Sequence, residues 1–350
     1  MNFLIFGNGK LISSGIEKRI GYEIAELGHK VYLVINEETL YETLSVRKHK
    51  NLEFICLSYN KYKFDELYIE EKIDICFGLD QSVSPFVAEY KNRMKVKSFC
   101  LFLDFPVHII DGRDRLNYDF AYSQEFYYWI NCALEVDGVF FNTNIAIEEF
   151  KKRYNKEGYL IPYPIVFDDA YEHFNRKVPN KDFTIGCHKL WPYKGTIFTL
   201  KALEGLGYNY SHLYSLVEKH EGNRLNKVAR YANLDIDFYE KVSEYKKMEM
   251  MYNARLLIYP QITHWIGGIS IIEAMSVKTP SVCFNYPILK ELFGESVLYA
   301  KAENVEDLRK KIQILYKDNE LNKELSEKGY KRFKDCFTIE HFVQNLLKYF

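Results

Sequence analysis

Residues 255–280, RLLIYPQITHWIGGISIIEAMSVKTP, constrain the fold more than any other stretch, because they spell a strand, a glycine turn and a helix start in succession. The apolar run from Arg255 reads as a buried strand ending at Pro260, Gly267-Gly268 supplies the turn, and a helix opens at about Ser270. Such a turn leaves backbone amides unpaired and points the positive end of a helix dipole into the crevice beyond the strand, where a phosphate sits well. Two readings compete for Ser270-Ile271-Ile272-Glu273. As an S-x-x-E capping box, Glu273 reaches back to the Ser270 amide and closes the helix start. Facing a nucleotide, the same carboxylate accepts hydrogen bonds from the adjacent hydroxyls of a ribose.

The same grammar opens the chain. Asn2 to Phe6 is a strand, GNGKLISSG a glycine loop ending at Gly15, and Ile16 to Leu27 a helix with Ile16, Ile20, Ile24 and Leu27 on one face; Gly28-His29 ends it before the strand VYLVI. A dinucleotide-binding fingerprint would need G-x-G-x-x-G, and Ile12 stands where the third glycine belongs. Further strands are expected at 74–79, 96–103 and 137–141, the last followed by an N-cap at Asn142-Thr143-Asn144 and a helix to about Tyr154. A polar, broken stretch from Tyr163 to Asp182 reads as a linker. A second strand-loop-helix series then begins with FTIGC, whose loop HKLWPYKG places Lys189 and Lys194 ahead of a helix near Thr196. Two cations there suit a diphosphate; the plain alternative is a solvated loop. Residues 305–334 are helical and charged, and TIEHFVQNLLKYF carries an apolar stripe of Ile339, Phe342, Val343, Leu346, Leu347 and Phe350.

These motifs together resemble the retaining glycosyltransferase family 4, of GT-B fold. Gly268, Glu273, Ala274, Met275, Thr279 and Pro280 fall in register with its E-G-F-G-x-x-x-x-E-A-M-x-x-G-x-P signature, HKLWPYKG with its G-R-L-x-P-x-K-G, and Gly28-His29-Lys30-Val31 with its G-H-x-V. The chain departs from the pattern at Trp265, where the first glutamate belongs and beside which His264 stands, at Lys278 for a glycine, and at His188 and Lys189 for Gly-Arg. Lys for Arg keeps the charge and loses the bidentate geometry. The resemblance implies an α/β protein of GT-B type, with two Rossmann-like doubly wound domains facing a central cleft. The acceptor domain is expected at 1–165, the nucleotide-sugar donor domain at 166–335 and a helix crossing back at 336–350. It implies catalytic roles for Lys189, Lys194, Asp104 and His108, and donor binding by Gly15, Gly267, Gly268, Ser270, Glu273 and Glu291. The implied donor is a UDP- or GDP-sugar with no separate cofactor and no metal, and the acceptor, whether glycan, lipid-linked or protein, is not legible. A catalytically silent binder or partner subunit is the rival, motivated by Trp265.

Composition fits this reading and excludes others. A chain of 350 residues favours two domains, and 47 basic against 48 acidic residues argue against a nucleic-acid partner. No apolar run reaches the ~18 residues of a membrane span and the chain begins directly in a strand, so a cytoplasmic protein is expected, with peripheral membrane contact the alternative. Seven cysteines without a C-x-x-C pair read as core residues, as do most of the 29 tyrosines and 25 phenylalanines. Asp235-Ile236-Asp237 matches a metal-binding D-x-D, but lies in the strand-like LDIDFY, where alternation explains it.

Overall fold

The computed structural model describes residues 1–7, 15–36, 49–57, 71–102, 124–165, 167, 169–175, 179, 181–214, 219–231, 234, 236–262 and 267–350. They form two compact units, Met1–Val166 with Ile339–Phe350, and Phe167–Thr338.

The first unit contains, in chain order, β1 (Asn2–Phe6), α1 (Ile16–Glu26), β2 (Lys30–Asn36), β3 (Leu52–Leu57), β4 (Ile75–Gly78), α2 (Ser84–Met94), β5 (Lys97–Phe102), α3 (Gln124–Glu135), β6 (Gly138–Phe141), α4 (Asn144–Tyr154) and β7 (Gly158–Leu160). Its seven strands lie in the order β3-β2-β1-β4-β5-β6-β7 and pair in parallel, Phe3 opposite Val31 on one side and Ile75 on the other. A parallel sheet is covered on both faces, which is why FLIF, ICFG and GVFF are buried throughout and not alternately. Thr143 caps α4 as expected, its hydroxyl accepting from the Ala146 amide at 3.3 Å.

The second unit runs through α5 (Ala170–Phe174), β8 (Phe183–Cys187), α6 (Thr196–Leu203), β9 (Asn209–Tyr214), α7 (Lys219–Tyr231), β10 (Ile236–Glu240), α8 (Glu244–Asn253), β11 (Leu256–Tyr259), α9 (Ile269–Ser276), β12 (Ser281–Phe284), α10 (Pro287–Phe293), β13 (Leu298–Ala300), α11 (Val305–Lys317) and α12 (Asn319–Cys336). Its sheet order is β10-β9-β8-β11-β12-β13, again parallel. The stretch read as a linker contains α5, pinned because Phe174 is buried against Tyr245 and Tyr252. The charged segment 305–334 divides at Asp318, which ends α11 and caps α12 by accepting from the Leu321 amide. The chain then returns to the first unit as α13 (Ile339–Leu347), whose Ile339, Phe342, Val343 and Leu346 lie in one core with Phe3, Ile5, Ile16, Ile20 and Ile24.

Both sheets are doubly wound. Successive strands step outward one way and then restart on the other side of the first strand, so the winding reverses between β1 and β4, and between β8 and β11. At such a reversal the loops beyond the strands' carboxyl ends part and leave a crevice. Among the described residues no helix is long and apolar enough to cross a membrane.

Candidate functional site

The motif residues of the second half meet at the β8/β11 reversal. Beyond β8 the loop His188–Lys194 leads to Gly195, whose φ of 73° opens α6; beyond β11 the chain leads to Gly268, whose φ of 105° opens α9. Both positions demand glycine. A Cβ on Gly195 would lie 2.0 Å from the Pro260 carbonyl oxygen, and one on Gly268 would lie 2.6 Å from the Phe293 ring.

Hydrogen bonds stitch the two loops together. The Ile262 amide donates to the Tyr193 carbonyl at 3.0 Å, and Lys194 Nζ donates to Gln261 Oε1 at 2.9 Å. Tyr259 Oη donates to the same Gln261 oxygen and accepts from the Gly268 amide at 3.0 Å. Lys194 and the start of α9 are thus held in one network through a glutamine that is 2 % exposed. The Gly268 amide is therefore occupied; the amides of Ile269 and Ser270 lie ahead of the first intrahelical bond, from Ile271 to the Gly268 carbonyl. Gly267 packs beside Tyr259 Oη and Gln261. Lys189 carries its ammonium 4.7 Å above the Trp191 ring, and the Thr196 hydroxyl, on the first turn of α6, is buried without a partner among the described residues.

The capping box does not form. Because Gly268 is the N-cap, Ser270 falls at the second helical position and its hydroxyl donates to the Cys187 carbonyl at the end of β8. Glu273 Oε1 instead accepts from Lys247 Nζ at 2.6 Å, and Lys247 also reaches Glu244 Oε2 at 2.7 Å. Burial raises the Glu273 carboxyl, an effect Lys247 opposes and Glu244 reinforces. Burial also works against the Lys247 charge, but Glu273, Cys187 and Glu244 outweigh it and hold the ammonium above its ordinary pKa.

His188, in place of the motif's glycine, stands edge-on to His212 at 4.6 Å. Its Nδ1 meets the Lys189 carbonyl, while its Nε2 is sealed with no partner among the described residues. His212 Nε2 donates to the His188 carbonyl at 3.1 Å and its Nδ1 accepts from Tyr210 Oη at 2.6 Å, which fixes one tautomer. Burial pushes His212 down to about 4 and His188 well below its ordinary value. Lys278, in place of the other glycine, takes the left-handed conformation at φ 56°, and its ammonium lies over Tyr171 and Tyr330 while pairing with Glu327 at 2.8 Å.

The remaining residues singled out in the sequence lie on other elements or outside the described residues. Gly15 opens α1 at φ 63°. Glu291 lies on α10, its carbonyl taken by Arg332. Asp237 is exposed on the edge strand β10. Asp104, His108, Asp235, His264 and Trp265 lie outside the described residues. Lys247, Gln261 and Tyr259 are the site residues that motif reading missed; only Gln261, directly after the strand-ending Pro260, carried a positional hint.

Residues 168–332 match the family model described as glycosyl transferases group 1. No curated protein matches the sequence. Among solved structures the chain is similar to a glycosyltransferase from Rickettsia africae ESF-5, at 14% identity and TM-score 0.76 over 99% of this chain and 97% of that one. It is also similar to sucrose-phosphate synthase from Thermosynechococcus elongatus, at 15% identity and TM-score 0.75 over 100% and 98%. Anabaena HepE, crystallised with UDP-glucose, gives 14% identity and TM-score 0.73 over the full length of both chains. The chain is thus a GT-B-fold protein whose second unit carries, over residues 168–332, the glycosyl transferases group 1 match.

Proposed function

We propose that the protein transfers a sugar, with retention of anomeric configuration, from a nucleoside-diphosphate sugar held by the second unit to a hydroxyl acceptor bound by the first. The observation that carries this reading is the convergence, at one sheet reversal, of two glycine-opened helices, two lysines and a carboxylate. Lys189, Lys194 and the amides of Ile269 and Ser270 at the start of α9 meet the diphosphate and stabilise the charge that grows on it as the bond from the sugar's C1 to phosphate oxygen breaks. The acceptor oxygen bonds to C1 from the same face and its proton leaves with the phosphate, so no nucleophilic carboxylate is needed. Glu273 accepts from the ribose hydroxyls. Because lysines and amides carry the charge, no divalent metal is required. HepE, of the same fold, was crystallised with UDP-glucose, which supports a UDP-sugar as the first donor to try.

This reading places the protein in the cytoplasm, with peripheral contact at a membrane surface as the alternative, and leaves open whether the acceptor is a glycan, a lipid-linked sugar or a protein. A screen of UDP- and GDP-sugars for donor hydrolysis, with and without EDTA, tests it: turnover of one donor, unchanged by EDTA, is expected. An absolute need for added Mn²⁺ or Mg²⁺ would refute the metal-free chemistry. Trp265, where the resembled signature has glutamate, favours a second reading, a silent binder, which is adopted if nucleotides bind and no sugar is ever released.

A further inference from the structure

Lys247 lies outside both motif stretches, yet α8 delivers its ammonium to the carboxylate assigned to the ribose. Its Nζ sits between Glu273 Oε1 at 2.6 Å and Glu244 Oε2 at 2.7 Å, with the side chains of Lys247 and Glu273 only 15% and 10% exposed. Glu244, at 32%, keeps contact with water, so the buried part of the cluster is one cation and one anion. A simple pin between α8 and α9 is the bland explanation. It explains little, because desolvation cancels most of the attraction in a buried pair, and apolar side chains of similar volume would hold the helices as well. Buried Met248 and Met251 already seat α8.

A carboxylate buried alone takes up a proton, and a protonated carboxyl offers a donor where a ribose needs acceptors. With Lys247 bonded to Oε1, the charged form of Glu273 is favoured against the pull of burial, its rotation is fixed, and among the described residues the lone pairs of Oε2 are left for the ligand. We propose that Lys247 is a positioning residue of the donor site, holding Glu273 as an oriented carboxylate for the ribose hydroxyls. The inference rests on the donor reading of Glu273. Among the described residues the titratable groups facing Glu273 are Lys247 and Glu244 from α8 and Cys187 from β8. Burial pushes the Cys187 thiol up to about 12, so it stays neutral near physiological pH.

The test is calorimetric titration of the whole protein with UDP and with GDP from about pH 6 to about pH 8.5, reading the ratio of variant to parent affinity. Using the ratio removes the titration of the nucleotide's own phosphate. For Lys247→Met the ratio should fall more than about tenfold at the acid end and recover to within about threefold at the alkaline end, as the unpaired Glu273 ionises. Lys247→Arg should give a flat ratio near one. Glu273→Gln should weaken binding equally at every pH, and adding Lys247→Met to it should restore no slope. If the Met variant does not fold, Lys247→Gln, which keeps a donor without the charge, answers the same question. A pH-independent ratio for the uncharged variants overturns the proposal and leaves Lys247 a structural pin. Parent-like binding by Glu273→Gln overturns the donor reading of Glu273 instead, and the proposal with it.

Discussion

Lys194 and His212 show two ways in which a single side chain serves the β8/β11 site. Lys194 is held by Gln261 and lies 5.4 Å from the Tyr193 ring, so its ammonium is oriented before any ligand arrives. Lys194→Ala should therefore weaken UDP or GDP by more than about tenfold, ~1.4 kcal/mol, and hardly touch the parent nucleoside; equal losses in the two titrations would make the lysine a fold residue only. His212 holds the loop from beneath through the His188 carbonyl, and it is neutral. Its pKa falls from 6.5 to about 4 on burial, so below about pH 6.5 the unfolded chain binds a proton that the folded chain refuses. Stability is full above that pH and is lost as pH drops toward 4, by on the order of 3 kcal/mol from this group. Urea melts between neutrality and pH 4.5 should show the loss, and His212→Gln should make it shallower while leaving the part that His188 contributes; an unchanged slope would exonerate His212. Sequence patterns put Lys189 and Lys194 on the loop ahead of one helix and Glu273 near the start of another, and left two readings open for the carboxylate, of which the capping box does not form. Ser270 and Glu273 have capping-box spacing, yet the left-handed Gly268 caps the helix two residues before Ser270, and the partner that takes the carboxylate lies 26 residues away in sequence.

Elements were legible where burial is continuous and obscure where it depends on distant partners. The apolar runs of β1, β4, β5, β6, β8 and β11 announce themselves, because a two-sided parallel sheet needs unbroken hydrophobic strands. NYSHLY does not, since Ser211 and His212 are buried polar residues made tolerable by partners that only the fold supplies; α5 was hidden in a polar stretch for the same reason. The stripe of α13 was plain from its spacing. Its Ile339, Phe342, Val343 and Leu346 are at most 1% exposed, and burying four such side chains contributes about 6–12 kcal/mol, comparable to the whole stability of a domain. Removing residues 338–350 should accordingly leave an exposed apolar face on α1 and β1 and yield insoluble protein in an expression and sedimentation assay. A soluble truncation melting with the full chain would refute that role.

At the scale of the whole molecule, the repeated winding reversal was foreshadowed by two strand-glycine-helix series but not by strand order, which no local pattern encodes. The two reversals differ in equipment. The second carries Lys189, Lys194 and Glu273, whereas the fingerprint at the first lacks its third glycine. Accordingly UDP or GDP at a hundredfold excess over Kd should stabilise the protein by about 2.7 kcal/mol, a melting shift of roughly 5–10 °C, and NADH should not. A shift with NADH alone would discard the glycosyltransferase reading. The return of α13 to the first unit also sets an order of assembly at the ribosome. Residues 167–338 form the second unit without interruption, but the first unit waits for a helix translated roughly 10–35 s after its last strand, at 5–20 residues per second. For that interval the nascent first unit shows the bare surface that α13 will cover, a stretch of synthesis in which a chaperone has something to hold.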